Sequence, residues 1–252
     1  METSTFFYLA LVAVALAIDH LVLWRRFTAR STAEPEQARL VLWQSWLAML
    51  WLLALAAVAL WAYSGRPWSL LRLQLPIGWR LWASAILVLA VVALYSPTIS
   101  KLRRVSAERK VVLRTRLESH AAMLPHTMGE LAWFTALSVT AGVCEELIFR
   151  GYILWASQSI LGLWPAVVLS CLVFALAHAY QGIGGIVKTG LLGAFFMASV
   201  LLLGSLLPAM VAHALIDIGQ GAVAWLILRT SGLQHEQTRA NEKAAANVGA
   251  QL

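Results

Sequence analysis

One stretch of the chain decides the fold: ELAWFTALSVTAGVCEELIFRGYILW, from Glu130 to Trp155. It exceeds the roughly 20 residues that an α-helix needs to cross a hydrocarbon core of about 30 Å. Its interior is apolar except for one group of charged residues, Glu145, Glu146 and Arg150. The stretch therefore predicts a membrane-spanning helix that carries polar chemistry inside the bilayer.

Similar apolar runs precede and follow this stretch. Hydrophobic residues make up 60% of the chain and charged residues 12%, against about 45–50% and about 25% in soluble proteins. We expect an all-α, polytopic transmembrane helix bundle of about seven spans. The other predicted spans are Phe6–Trp24, Leu40–Tyr63, Trp79–Tyr95, Leu161–Ala179, Ile183–Leu203 and Pro208–Leu228.

The basic residues lie beside apolar runs, most densely in segment 101–116. Leucines and valines alternate with them up to His120, which predicts a basic amphipathic helix resting on anionic lipid at the membrane interface. A docking surface for a substrate is the alternative interpretation of this segment. Because headgroup attraction and the positive-inside rule explain the net charge of +7, nucleic acid is excluded as a partner.

The chain divides into three parts. Residues 1–120 hold the N-terminal spans and the basic cytoplasmic segment, residues 121–230 form a catalytic-type membrane core, and residues 231–252 form a disordered polar tail. Charge bias places the N-terminus outside and the C-terminus in the cytoplasm of an integral membrane protein, with the bacterial plasma membrane as the expected location. The first span is expected to be retained, although Ala15-Leu16-Ala17 leaves processing open.

Ionisable residues are concentrated in the later spans, where each costs on the order of 3 kcal/mol. Glu146 and Arg150 lie four residues apart, which predicts a structural ion pair on one helix face. Glu145 lies about 100° further round the helix and has no local cation. A carboxylate in that position can serve as a general base for water.

Two histidines and an aspartate complete the group. His178 ends its span one helical turn after Phe174 and could hold the same water as Glu145. His213 and Asp217 share a face of the last span, where one of them could donate a hydrogen bond to a developing oxyanion. Each histidine taken alone is more simply an interfacial or packing residue, but the combination favours function.

Three motifs carry a family resemblance. The chain contains Glu-Glu-x-x-x-Arg at 145–150, Phe-x-x-x-His at 174–178 and His-x-x-x-Asp at 213–217. From about Leu131 to Leu228 it resembles the CPBP family of intramembrane peptidases, which includes CAAX prenyl proteases and bacteriocin-processing and immunity proteins. The resemblance implies a glutamate-dependent endopeptidase acting on membrane-associated proteins or peptides.

The resemblance also implies roles for six residues. Glu145 and His178 would activate water, His213 and Asp217 would form the oxyanion site, and Glu146 and Arg150 would support the helix. The last motif departs from the prenyl-protease pattern, which has an amide where this chain has Asp217. Because an ionised aspartate cannot donate a hydrogen bond, Asp217 is either protonated or orients His213, and a prenylated substrate is in doubt.

Three alternatives stay open. No cofactor is expected, but a metallopeptidase could bind zinc through Glu145, His178 and His213, although no His-Glu-x-x-His motif is present. A non-catalytic immunity or scaffold protein could keep the peptidase fold and act by binding. A transporter could use the same groups as a proton relay, although the chain shows no pair of similar halves.

Overall fold

The structure, a computed structural model, describes residues 3–229 apart from the side chains of residues 107 and 118–120. All regular secondary structure in this range is helical, which confirms the predicted all-α class. Cys144 and Cys171 are both free thiols. The predicted tail 231–252 lies outside the described residues.

The described chain forms eight helices and one short 3₁₀ helix, Trp68–Leu71, and six of the eight are long and apolar enough to cross a bilayer. A shorter apolar helix, α6, occupies the position of a seventh predicted span, so the prediction of about seven spans is confirmed. The helices are α1 (Thr3–Arg30), α2 (Pro35–Tyr63), α3 (Trp79–Arg103), α4 (Ala107–Ala121), α5 (Met128–Leu161), α6 (Leu163–Ala177), α7 (Ala179–Leu203) and α8 (Leu207–Leu228).

Helix α5 lies at the centre of the bundle, where it packs along α2 and α8. Its N-terminus is a capping box, in which the Thr127 hydroxyl accepts from the Glu130 N–H and the Glu130 carboxylate accepts from the Thr127 N–H. The same carboxylate binds the Arg39 guanidinium of α2 at 2.6 Å, with both side chains buried. This pair fixes α2 against the start of α5.

Two helices contain π-helical stretches, which the sequence did not predict. One comprises Asp19–Leu23 in α1, and the other comprises Glu146–Ile153 in α5. Such wider turns occur frequently at functional sites, because they redirect the side chains that follow them. The first residue of each stretch, Asp19 or Glu146, is an acidic residue inside an apolar helix.

The segment at 64–78, which connects α2 to α3, is docked onto the protein. Leu71 is buried in the main core. The carbonyl of Arg72 accepts from the Leu206 N–H at 2.8 Å, and the carbonyl of Gln74 accepts from the Ser205 hydroxyl at 2.7 Å. The segment therefore covers the loop that leads into α8.

The basic segment is amphipathic as predicted, but it is divided between two helices. Its first residues end α3, and a short break precedes α4. The apolar side of α4 packs against the ends of α3 and α8 in a small cluster that contains Leu102, Leu113, Leu117, Leu226 and Ile227. Arg114 donates to the carbonyls of Ile227 and Arg229 at 2.8 and 3.0 Å, so this arginine caps α8 rather than facing lipid.

A tight contact between α5 and α8 depends on Gly142. A Cβ at this position would lie 2.7 Å from the Met210 carbonyl oxygen and 2.8 Å from the Ala214 nitrogen, both backbone atoms. No flexible side chain can move aside to accommodate it. Gly142 lies three residues before Glu145. It therefore allows close packing of the two helices that carry five of the six predicted site residues.

We expect Gly142→Ala to lower the free energy of unfolding by about 1–3 kcal/mol, because the added methyl group overpacks a backbone contact. The matched control is Gly129→Ala in the same helix, whose Cβ would lie 3.9 Å from its nearest neighbour, the Thr127 hydroxyl oxygen. The measurement is thermal unfolding of the purified proteins in detergent. Equal midpoints for the two variants would contradict this account of the α5–α8 contact.

Candidate active site

A cavity of about 640 Å³ opens between the spans, and all four residues predicted to be catalytic line it. Glu145 comes from α5, His178 follows the last residue of α6, and His213 and Asp217 come from α8. The volume lies within the range of about 300–1,000 Å³ that is usual for ligand sites. Residues separated by up to 72 positions in the chain (145 to 217) are thus brought to one cavity.

Glu146 joins the elements behind this cavity. Its Oε1 atom accepts from Arg150 Nη1 at 3.1 Å and from His213 Nδ1 at 2.8 Å. Arg150 Nη2 in turn donates to the Gly193 carbonyl of α7 at 3.1 Å. The ion pair predicted from the four-residue spacing is therefore present, and the bond from Glu146 to His213 adds a contact that the sequence did not predict.

Aromatic rings enclose this buried network. The guanidinium of Arg150 lies 3.9 Å from the centre of the Phe174 ring, at cation–π distance. The Phe196 ring stacks on His213 with 4.8 Å between ring centres and 19° between planes. These rings exclude water from Glu146 and Arg150, whose side chains are fully buried.

Glu145 has a different environment from its neighbour. Its Oε2 atom is buried and, like Oε2 of Glu146, accepts no hydrogen bond from the described residues, but the Glu145 side chain lines the cavity whereas that of Glu146 is fully buried. The basic nitrogen paired with it is His213 Nε2 at 3.8 Å, which is beyond hydrogen-bond distance. A carboxylate oxygen with unused acceptor capacity therefore borders the cavity, as a general base for water requires.

His178 is oriented by its own helix. Its Nδ1 atom lies 2.9 Å from the Phe174 carbonyl oxygen. Because a carbonyl oxygen only accepts, Nδ1 is the donor, and Nε2 of the neutral ring is left as an acceptor. The backbone of α6 thus fixes the tautomer of a histidine that lines the cavity.

His213 is surrounded by carboxylates. Its Nδ1 donates to Glu146, while its Nε2 lies 3.5 Å from Asp217 Oδ2 and 3.8 Å from Glu145 Oε2. The contact with Asp217 is an ion-pair distance rather than a normal hydrogen bond. His213 is therefore held from one side by Glu146 and faces the two cavity carboxylates with its other nitrogen.

Comparison with known families gives a match that covers these residues. Residues 127–219 match the family model described as type II CAAX prenyl endopeptidase Rce1-like. The match covers less than half of the chain, and we call residues 127–219 the Rce1-like segment after it. It confirms the resemblance that the three motifs predicted. Comparison with curated proteins and with solved structures gave no significant match.

The Rce1-like segment begins at the capping box of α5 and ends in α8, so it includes all six predicted site residues. The helices α1, α2 and α3 lie outside it. Among the side chains that the structure describes, no group of three or more His, Cys, Asp or Glu is arranged to hold a metal ion. The zinc alternative therefore has no assembled ligand set in the described part of the chain, and chelation is its direct test.

The cavity also contains an acidic residue from outside the Rce1-like segment, to which the sequence analysis assigned no role. Asp19 of α1 lines the same cavity, and its Oδ1 accepts from the Trp46 indole N–H at 2.5 Å. A lone acidic residue in an apolar span is the signal that could have identified it. Its position opposite the Rce1-like segment depends on the packing of α1 and α2, which the motifs do not describe.

We expect Arg150→Ala to lower the free energy of unfolding by about 3–5 kcal/mol, because it leaves the buried Glu146 carboxylate without its cation. Arg109→Ala in α4 is the control, since Arg109 is exposed. Yield of folded protein and thermal unfolding in detergent measure the effect. A loss of stability in Arg150→Ala no larger than in the control would show that this network does not hold the helices together.

Proposed function

We propose that the protein is an intramembrane endopeptidase that hydrolyses a peptide bond in membrane-associated proteins or peptides. The observation that carries this proposal is the pair of acceptors at the cavity, Glu145 Oε2 without a hydrogen bond and His178 with its Nδ1 already engaged. Both side chains line the cavity, and we infer that one water molecule binds between them. The similarity of residues 127–219 to endopeptidases supports hydrolysis as the reaction.

Glu145 acts as the general base. As water attacks the substrate carbonyl carbon, Glu145 takes one proton while His178 Nε2 accepts a hydrogen bond from the other hydrogen. The new C–O bond forms and the carbonyl oxygen becomes negative. Glu145 then passes its proton to the leaving nitrogen, the C–N bond breaks, and an amine and a carboxylic acid are released.

His213 stabilises the negative oxygen of the intermediate. Glu146 binds Nδ1 of this ring, so Nε2 is the nitrogen directed towards the cavity. With a second proton, on Nε2, the ring is an imidazolium, and its Nε2–H donates a hydrogen bond to the oxyanion. Asp217, whose Oδ2 lies 3.5 Å from Nε2, orients and stabilises this cation, because an ionised aspartate cannot itself donate to the oxyanion.

The surroundings proposed for the enzyme follow from its charge distribution. The N-terminus lies outside and the C-terminus in the cytoplasm of a bacterial plasma membrane. Anionic lipid binds the exposed basic residues of segment 101–116, while Arg114 is occupied by the end of α8. No cofactor is needed for the mechanism above, and nucleic acid is not a partner.

We expect Glu145→Gln to reduce cleavage by about 10²–10⁴-fold, because glutamine has the same shape but cannot take a proton. The folded protein remains stable, since Glu145 accepts no hydrogen bond at Oε2 that the substitution would break. The assay follows cleavage of membrane-anchored peptide libraries by mass spectrometry with proteins purified in detergent. Glu36→Gln, near the start of α2 and away from the cavity lining, is the charge-matched control.

Each library is also assayed with and without a chelator. The proposed mechanism predicts that wild type remains active in chelator. Loss of wild-type activity in chelator, restored by zinc, would favour the metallopeptidase. Equal cleavage by wild type and Glu145→Gln would overturn the role of Glu145, and no cleavage by wild type with an unchanged cellular phenotype of Glu145→Gln would favour a non-catalytic scaffold.

A further inference from the structure

The wall of the cavity opposite the Rce1-like segment is built by the first two spans. From α1 it receives residues spaced by three and four positions, which place one face of that helix on the cavity: Val12, Ala15, Leu16 and Asp19. From α2 it receives Trp43, Trp46, Met49, Leu50 and Leu53. The wall is therefore apolar apart from one acidic residue and the indole beside it.

Asp19 is held rigidly at the end of this apolar wall. Only 7% of its surface is exposed, and the Trp46 indole N–H fixes one carboxylate oxygen at 2.5 Å. The Trp46 ring packs against Tyr180 with 5.2 Å between ring centres, which links Asp19 to the first turn of α7, just after His178. Asp19 lines the same cavity as His178 and Glu145.

This carboxylate has no ion-pair partner among the described side chains, in contrast to the buried Glu130 and Glu146. A buried charge that is bound only by a neutral donor is costly to keep, and an ionisable residue within a span marks a functional site by default. The proposed mechanism does not use Asp19. Its charge is thus available to a ligand that enters the cavity.

The other charges at the cavity favour a positively charged ligand group. Three carboxylates line it, those of Asp19, Glu145 and Asp217, against one lysine, Lys188, and two histidines. Lys188 is largely exposed and donates to Gln220 at 3.3 Å. A cationic side chain of the substrate would complement this arrangement, and the neighbouring rings of Trp46 and Tyr180 would add cation–π attraction.

We propose that Asp19 is a specificity-determining residue, which binds the ammonium or guanidinium group of a basic substrate residue near the scissile bond. The apolar faces of α1 and α2 receive the apolar residues beside it. The substrate class is then a membrane-associated peptide segment in which a lysine or arginine adjoins apolar residues. This inference rests on the proposed peptidase function and adds a substrate preference to it.

The test measures binding separately from cleavage. The probes are acetylated, amidated leucine–alanine peptides with one reduced amide bond in place of the scissile bond, which cannot be hydrolysed. Each flanking position in turn carries either lysine or methionine, which differ mainly in charge. Calorimetry compares wild type, Asp19→Asn, Asp19→Glu and the control Glu36→Gln.

Wild type is expected to bind the lysine peptide about 10- to 100-fold more tightly than its methionine counterpart at one flanking position or more, because a charged hydrogen bond is gained. Asp19→Asn removes this preference while keeping a carbonyl that accepts from Trp46, so its thermal unfolding stays close to that of wild type. Asp19→Glu restores the charge and retains the preference. Glu36→Gln leaves it unchanged.

Two results overturn the inference. One is equal binding of lysine and methionine peptides by wild type at every position, and the other is a lysine preference that survives in Asp19→Asn. Parallel cleavage of the corresponding peptides with ordinary amide bonds separates this inference from the proposed function. A lysine preference in binding without any cleavage would overturn the peptidase and keep the subsite, while cleavage without a preference would do the reverse.

Discussion

The structure of the site depends on one carboxylate oxygen, Oε1 of Glu146, which accepts hydrogen bonds from both Arg150 and His213. These bonds are formed in a fully buried setting, where each partner alone would be strongly unfavourable. Because Arg150 also binds the carbonyl of Gly193, the network connects α5, α7 and α8. The helices that carry the other polar groups are placed by this contact, and Gly142 lets α5 and α8 come close enough to form it.

Two adjacent glutamates have different environments as a result. Glu146 binds Arg150 and one nitrogen of His213 through Oε1, whereas Glu145 lines the cavity and has His213 Nε2 at 3.8 Å as its basic neighbour, beyond hydrogen-bond distance. The π-helical stretch of α5 begins between them. In the proposed enzyme, the paired glutamate provides rigidity and the unpaired glutamate provides the base, and the same residue type serves both purposes because the surroundings differ.

Much of this arrangement can be predicted from the sequence, because it depends on local patterns. Apolar runs predict the spans, and the four-residue spacing predicts the bond between Glu146 and Arg150. What the sequence did not predict depends on contacts between distant parts of the chain. The bond from Glu146 to His213 joins residues 67 positions apart, the segment at 64–78 docks onto the loop before α8, and Asp19 reaches the cavity only through the packing of α1 and α2.

The most direct test of the central claim is a structure of the protein bound to a peptide difluoroketone, whose hydrate resembles the tetrahedral intermediate of peptide hydrolysis. The account predicts one hydroxyl of the hydrate between Glu145 Oε2 and His178 Nε2, and the other within hydrogen-bond distance of His213 Nε2. A hydrate bound away from Glu145, or a metal ion bridging Glu145, His178 and His213, would contradict it.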